Sequence, residues 1–298
     1  MTASVPMSAI AAVMAPVFIV AALGFGWTRA RLPFDRAFVT TFVVNVATPC
    51  LVFSTLTRLR AEASDVTALA LAAATAVLLA GGSGALAMLA LRLPLRPYVP
   101  AFAFPNAGNM GIPICLFAFG ETGIGYAVVF FTVLAVFQFT LGPAIAAGRA
   151  DLRQLLSTPL VPVVIVALAV RATGLPLPAW LTNTTGLLGN CAVPLMLVSL
   201  GVALAGLRLK GTVRALALSA LRLATGAAAG WAAATAFGLE GTMRSVVILQ
   251  SAMPVAVFNY LWAAKFDNAP EDVASMVIAS TVLAMLLLPV LLVFLAPG

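Results

Sequence analysis

Four short stretches pair an amide side chain with a proline four residues later: Asn45 with Pro49, Asn109 with Pro113, Asn190 with Pro194, and Gln250 with Pro254. A proline inside a helix removes one N–H donor and displaces the carbonyl four residues before it. The amide residue is thus the one whose carbonyl is freed. In hydrocarbon, a freed backbone group costs several kcal/mol unless protein or water satisfies it. Such breaks are expected beside a polar cavity. There the N–H groups opening a half-helix favour an anion, and the carbonyls ending the other half favour a cation.

The richest stretch is Phe104-Pro105-Asn106-Ala107-Gly108-Asn109-Met110-Gly111-Ile112-Pro113. It holds two prolines, two glycines and two asparagines, a composition no ordinary helix centre carries. A second irregular stretch runs from Ser251 through Pro254 to Asn259. If the two meet at their breaks, Asn106, Asn109, Gln250, Ser251 and Asn259 converge on one substrate site; otherwise these amides only repair the kinks. Asn45 and Asn190 have the same two readings, substrate or helix packing. Arg222 is the one basic residue well inside an apolar run. A cation there neutralises a substrate carboxylate, snorkels to the cytoplasmic surface or serves a structural role; snorkelling or a structural role is the reading expected. No Asp, Glu or His lies at mid-membrane, so carboxylate-based proton coupling is not visible. Sodium could still bind amide and backbone oxygens, which leaves a sodium or proton coupling ion open, with no other cofactor and no metal centre expected. Cys50, Cys115 and Cys191 sit in apolar runs without zinc or disulfide spacing and read as small core residues.

The elements that must position these residues are membrane spans. Of 298 residues, 63% are hydrophobic and 8% charged, too few charges to cover a soluble surface. About 20 apolar residues cross the hydrocarbon core. Spans are expected near 7–28, 37–56, 66–91, 98–118, 123–147, 157–173, 183–206, 213–237, 243–264 and 271–296, the first retained rather than cleaved. Pro159 and Pro270 suit first helical turns, and Gly148, Gly174 and Gly238 suit helix exits. Eleven of the sixteen Lys and Arg fall in odd-numbered loops, among them Arg29, Arg36, Arg92, Arg149, Arg153, Lys210 and Lys265. Only Arg58, Arg60, Arg171 and Arg244 lie in the even-numbered ones. The positive-inside rule then places both termini on the extracytoplasmic side of a plasma (bacterial inner) membrane. The amide–proline motifs fall in spans 2 and 7 and in spans 4 and 9. Each pair is five spans apart, so the second half inserts upside down. The expected fold is an all-α membrane protein of ten transmembrane helices in a 5+5 inverted repeat, residues 1–148 and 149–298, with broken helices 4 and 9. Inverted repeats with broken helices point to a secondary transporter, here of a small organic anion.

At these motifs the chain resembles the auxin efflux carrier family, in the stretches Asn45–Phe53, Pro105-Asn106 through Pro113, Ser199–Gly201, Arg222 and Met253–Phe266. The resemblance covers essentially the whole chain. It implies a fold shared with bile acid–sodium symporters, with spans 1, 2, 6 and 7 as scaffold and spans 3–5 and 8–10 as a moving transport domain. Spans 4 and 9 would cross, the cycle would be elevator-like, and the protein would be a homodimer. It further implies that Asn106, beside Pro105, touches a carboxylate substrate at the crossover, with Pro113 and Pro254 shaping the site. The long loop of many plant carriers is missing, as is a charged pair in span 3, which argues against auxin itself.

Other classes fit less well. A net charge of +7 suits nucleic-acid binding in general, but these charges sit in short breaks between apolar runs. A serine-type intramembrane enzyme would need a base where no histidine exists, and an aspartyl type would need two intramembrane Asp. A sodium symporter of the bile-acid type, or an anion channel, remains the alternative.

Overall fold

The computed structural model describes residues 7–148, 160–208 and 211–295. Arg149, Arg153, Pro159 and Lys210 therefore lie outside the described residues, as does the boundary between the two expected halves. Within them the chain is helical and contains no strand. In chain order the α-helices are α1 (Met7–Arg29), α2 (Arg36–Phe42), α3 (Thr48–Arg58), α4 (Ala63–Ala90), α5 (Leu95–Ala103), α6 (Ile112–Ala147), α7 (Leu160–Thr173), α8 (Ala179–Asn190), α9 (Ala192–Gly206), α10 (Thr212–Ala236), α11 (Gly241–Ser251), α12 (Val257–Lys265) and α13 (Pro270–Leu295). Two π-helical turns, Val43–Ala47 and Ala107–Gly111, precede α3 and α6.

Seven helical runs among the described residues are long and apolar enough to cross a membrane, from Ala11–Arg29 to Pro270–Leu295. The segments near 98–118 and 243–264 are broken at Pro105 and Pro254, and the segment near 157–173 is described only from Leu160. Leu160–Thr173 is a single 14-residue helix. The segment near 98–118 breaks after Ala103, and that near 243–264 breaks after Ser251. α6 comprises two helices, the end of expected span 4 and expected span 5, that meet at Gly120, whose φ of 61° and ψ of −151° are non-helical and suit a residue without Cβ. As expected, Pro270 opens α13, and Gly148, Gly174 and Gly238 follow helices with positive φ.

The four amide–proline motifs have three structural outcomes. At Pro49 and Pro113 the helix widens into a π turn holding Asn45 or Asn109, and the proline enters the first turn of the next α-helix. A π turn tolerates the lost donor without ending the run. At Pro194 a single residue, Cys191, separates α8 from α9. At Pro254 the chain leaves helical geometry between Ser251 and Val257.

Without a hydrophobic drive between helices in lipid, close packing relies on small residues. α1 lies along α9, where an added Cβ at Gly24 would overlap the Val198 carbonyl and one at Gly201 the Ala21 carbonyl. α3 packs on α7 and α8, whereas α4, α5, α10, α11 and α13 pack mainly among themselves and on α6. α4 presents Ala72, Ala73, Ala76, Ala80, Gly81 and Gly84 to that second group. At one end of it the Tyr98 hydroxyl donates to Asp272 Oδ2 at 2.6 Å, accepts from Arg214, and lies beside the Arg214–Asp272 ion pair of 3.3 Å, tying α5, α10 and α13 together.

Candidate functional site

The two broken segments meet. Pro105 and Val255 form an isolated antiparallel bridge, in which the Asn106 N–H donates to the Pro254 carbonyl at 2.7 Å and the Ala256 N–H to the Phe104 carbonyl at 3.3 Å. The exchange is reciprocal: residue 104 corresponds to 254 and 106 to 256, an offset of 150. Asn109-x-x-x-Pro113 and Gln250-x-x-x-Pro254 are 141 residues apart instead, so these two motifs do not stand in the register of the bridge. At the offset of the bridge, Asn109 and Asn259 are 150 residues apart, and so are Pro100 and Gln250.

Breaking two helices exposes backbone groups that must find partners, and the surroundings supply them. The Val255 N–H donates to Ser280 Oγ at 3.0 Å. Asn259 Nδ2 donates to the Phe104 carbonyl at 3.0 Å. The Asn106 carbonyl accepts from the N–H groups of Met110 and Gly111. At the ends of α5 and α11, Arg222 donates from Nε to the Ala101 carbonyl at 3.1 Å and from Nη1 to the Ser251 carbonyl at 3.2 Å. Arg222 is fully buried, so of its two expected roles snorkelling is excluded, and its hydrogen bonds run to two helix C-termini inside.

A cavity of about 100 Å³ lies against the paired breaks. Its wall takes in Pro105, Asn106, Gly108, Asn109, Ala256 and Phe258 from the breaks and the turns that follow them. Opposite stand Val43, Val44, Thr48, Leu160 and Met196, with Phe131, Gln138 and Phe139 from α6. First-turn N–H groups have no partner within their own helix and carry positive partial charge. The Asn106 and Gln138 side chains are buried, and neither Asn106 Nδ2 nor Gln138 Nε2 has a hydrogen-bond partner. Buried donors of this kind carry a desolvation cost that a bound acceptor would relieve. Gly108 lets Phe131 close over the site, since a Cβ there would lie 2.8 Å from the ring.

The predicted residues divide by position. Pro105, Asn106 and Asn109 line this cavity. Pro254 contributes through its carbonyl, and Asn259 is turned to Phe104 as a backbone cap. Gln250 and Ser251 are buried elsewhere: Gln250 Nε2 reaches the Ala127 carbonyl at 3.5 Å, its Oε1 lies where a Cβ on Gly111 would stand, and Ser251 abuts Gly230. Pro113 is buried in the first turn of α6. Pro49 is buried, whereas Asn45 and Pro194 are exposed.

A larger cavity of about 260 Å³ adjoins the first, sharing Val43, Val44, Asn109, Met196 and Phe258, and reaches Arg36. Another of about 460 Å³ is lined by Arg58, Arg60, Glu121 and Asn190. Arg36 and Arg58 are the two ends of one 23-residue helical run, so these cavities open toward opposite ends of the molecule.

Gln138, Thr48 and Ser280 were missed by the sequence reading. Gln138 had a signal, as a lone amide between Phe137 and Phe139 in an apolar run. Ser280 and Thr48 had none, since small hydroxyl residues commonly bond their own helix.

Apolar helices around paired broken segments, with a largely apolar cavity at the breaks that holds the amides of Asn106, Asn109 and Gln138, define a multi-pass membrane protein. The family model described as membrane transport protein matches residues 9–155 and 144–292, and the chain belongs to that family, the auxin efflux carrier family. A comparison with curated proteins finds no match. The family is one of transporters rather than enzymes.

Proposed function

We propose that this protein is a secondary transporter of a small organic anion, a carboxylate, bound in the cavity at the paired breaks. The observation that carries the reading is the wall of that cavity. The amides of Asn106, Asn109 and Gln138 and the first turns of two helical segments offer hydrogen-bond donors, while Phe131, Phe139, Phe258 and Met196 offer an apolar surface for the body of the solute. Donors without a neutralising carboxylate suit an anion, and mixed lining of this kind is usual for small-molecule sites.

The proposed architecture is ten spans in a 5+5 inverted repeat, residues 1–148 and 149–298, with spans 4 and 9 crossing at Pro105 and Val255. The reciprocal hydrogen bonds at one offset support it. The proposed cycle is elevator-like: α4, α5, α6 and α10–α13 carry the site past a scaffold of α1–α3 and α7–α9. The separation of packing between those two groups supports this division. In the proposed orientation Arg36 faces the cytoplasm, both termini face the extracytoplasmic side of a bacterial inner membrane, and the 260 Å³ cavity is the cytoplasmic approach. The proposed assembly is a homodimer.

Carboxylate flux into proteoliposomes tests the reading, with sodium and pH gradients imposed separately. Saturable, counter-transportable flux by wild type, lost in Asn106→Ala, is the expected result. No flux of any member of a broad carboxylate panel would reject the substrate class, and ohmic current would replace the carrier by a channel.

A further inference from the structure

Among the described residues, Arg222 is the only charged side chain that is fully buried. A guanidinium taken out of water pays a large desolvation cost and persists only where something compensates it. Two hydrogen bonds supply compensation, both to backbone carbonyls, Ala101 at 3.1 Å and Ser251 at 3.2 Å, while Nη2 has no partner among the described residues. Ala101 lies in the last turn of α5, and Ser251 is the last residue of α11. The carbonyls of a last turn lack intrahelical partners and carry negative partial charge. The two acceptors stand in the register of the paired breaks, again 150 residues apart. One cation therefore bonds equivalent carbonyls of two half-helices.

The approach is built into α10. An added Cβ at Gly226 would overlap both Arg222 Nη1 and the Ser251 carbonyl, and one at Gly230 would lie 2.7 Å from Ser251 Cβ. These two glycines, at four-residue spacing on the helix that carries Arg222, let the end of α11 come close enough for the bond.

Carbonyls at the ends of half-helices are where broken-helix carriers coordinate a coupling cation. We propose that the Arg222 guanidinium occupies that position as a tethered cation, so that this protein binds no sodium ion between the ends of α5 and α11 and runs its cycle without one. A second positive charge a few ångström away, in a low-dielectric interior, would be strongly repelled. This deepens the transport reading and rests on it for its functional consequence, but the site itself can be tested without a substrate.

The first measurement is the thermal midpoint of the purified full chain in detergent, titrated with sodium or lithium chloride against choline chloride at constant ionic strength. Wild type is expected to show no sodium-specific, saturable rise. Arg222→Ala is expected to melt lower and to recover part of the loss, saturably, with millimolar guanidinium chloride or with sodium. Ser219→Ala, which loses the buried bond from Ser219 Oγ to the Met276 carbonyl, is expected to melt lower without that recovery. Arg222→Lys keeps the charge and is expected to stay indifferent to sodium, which decides the matter if the alanine variant cannot be purified. A saturable sodium effect on wild type or on Arg222→Lys overturns the proposal, as does an alanine variant that neither guanidinium nor sodium restores. In proteoliposomes, carboxylate flux is expected to be unchanged when choline replaces sodium. Failure of every carboxylate to move would reject the transport reading while leaving the midpoint result standing.

Discussion

The backbone N–H of Asn106 donates to the carbonyl of Pro254 at 2.7 Å, so the residue after one helix-breaking proline is held by the other proline itself. The bond uses the main chain of Asn106 and leaves its amide to the cavity. The reciprocal bond from Ala256 to Phe104 completes a two-residue antiparallel pairing between segments far apart in sequence. It lets two interrupted helices share the cost of their interruption.

Asn106→Ala follows from that division of labour. The structural bond is retained, so the thermal midpoint is expected to shift little. Transport is expected to fall by roughly ten- to a hundredfold in kcat/KM, the loss of about 1.5–3 kcal/mol for a hydrogen bond to a charged group. Equal losses of stability and flux would instead make Asn106 a purely structural residue.

Gln138→Leu separates site from scaffold in another way. Gln138 is buried with an unpartnered Nε2, a cost that leucine removes. The variant is expected to melt at the wild-type temperature or above while its KM rises. A variant that melts lower with normal KM would show that the amide serves packing.

Gly226→Ala and Gly82→Ala form a matched pair. A Cβ at Gly226 overlaps Arg222 and Ser251, whereas one at Gly82 meets nothing within 4 Å. Overpacking costs about 1–3 kcal/mol, while Ala in place of Gly inside a helix gains up to about 1 kcal/mol. Melting in detergent should move the two variants in opposite directions.

Ser280→Ala removes the acceptor of the Val255 N–H, a bond of 3.0 Å between buried groups. An orphaned buried donor costs about 1–3 kcal/mol. Reduced stability is expected, with a further loss of flux because Val255 forms the bridge to Pro105. Ser280→Thr, which keeps the hydroxyl, should recover part of both, and an unaffected alanine variant would show that the bond does not hold the break.

Composition made this a membrane protein, because so few charges cannot clothe a soluble surface, and its apolar runs of about 20 residues made it helical. The prolines marked where regular helix would be interrupted, widening into π turns at Pro49 and Pro113 and ending at Pro254, because the missing donor and the ring clash are covalent properties of the residue. The resemblance in the Pro105–Pro113 stretch led to the family to which the chain belongs. Only the tertiary structure decided which groups answer each break. Proline says that a carbonyl will be freed and nothing about its new partner, since that partner lies on another helix. Asn109 and Gln250 looked equivalent because both precede a proline by four residues, yet one lines the cavity and the other packs on Gly111. Arg222 likewise read as a surface-seeking cation from its distance along one helix. Its burial depends on the ends of two others, α5 and α11, whose convergence no local pattern on α10 records.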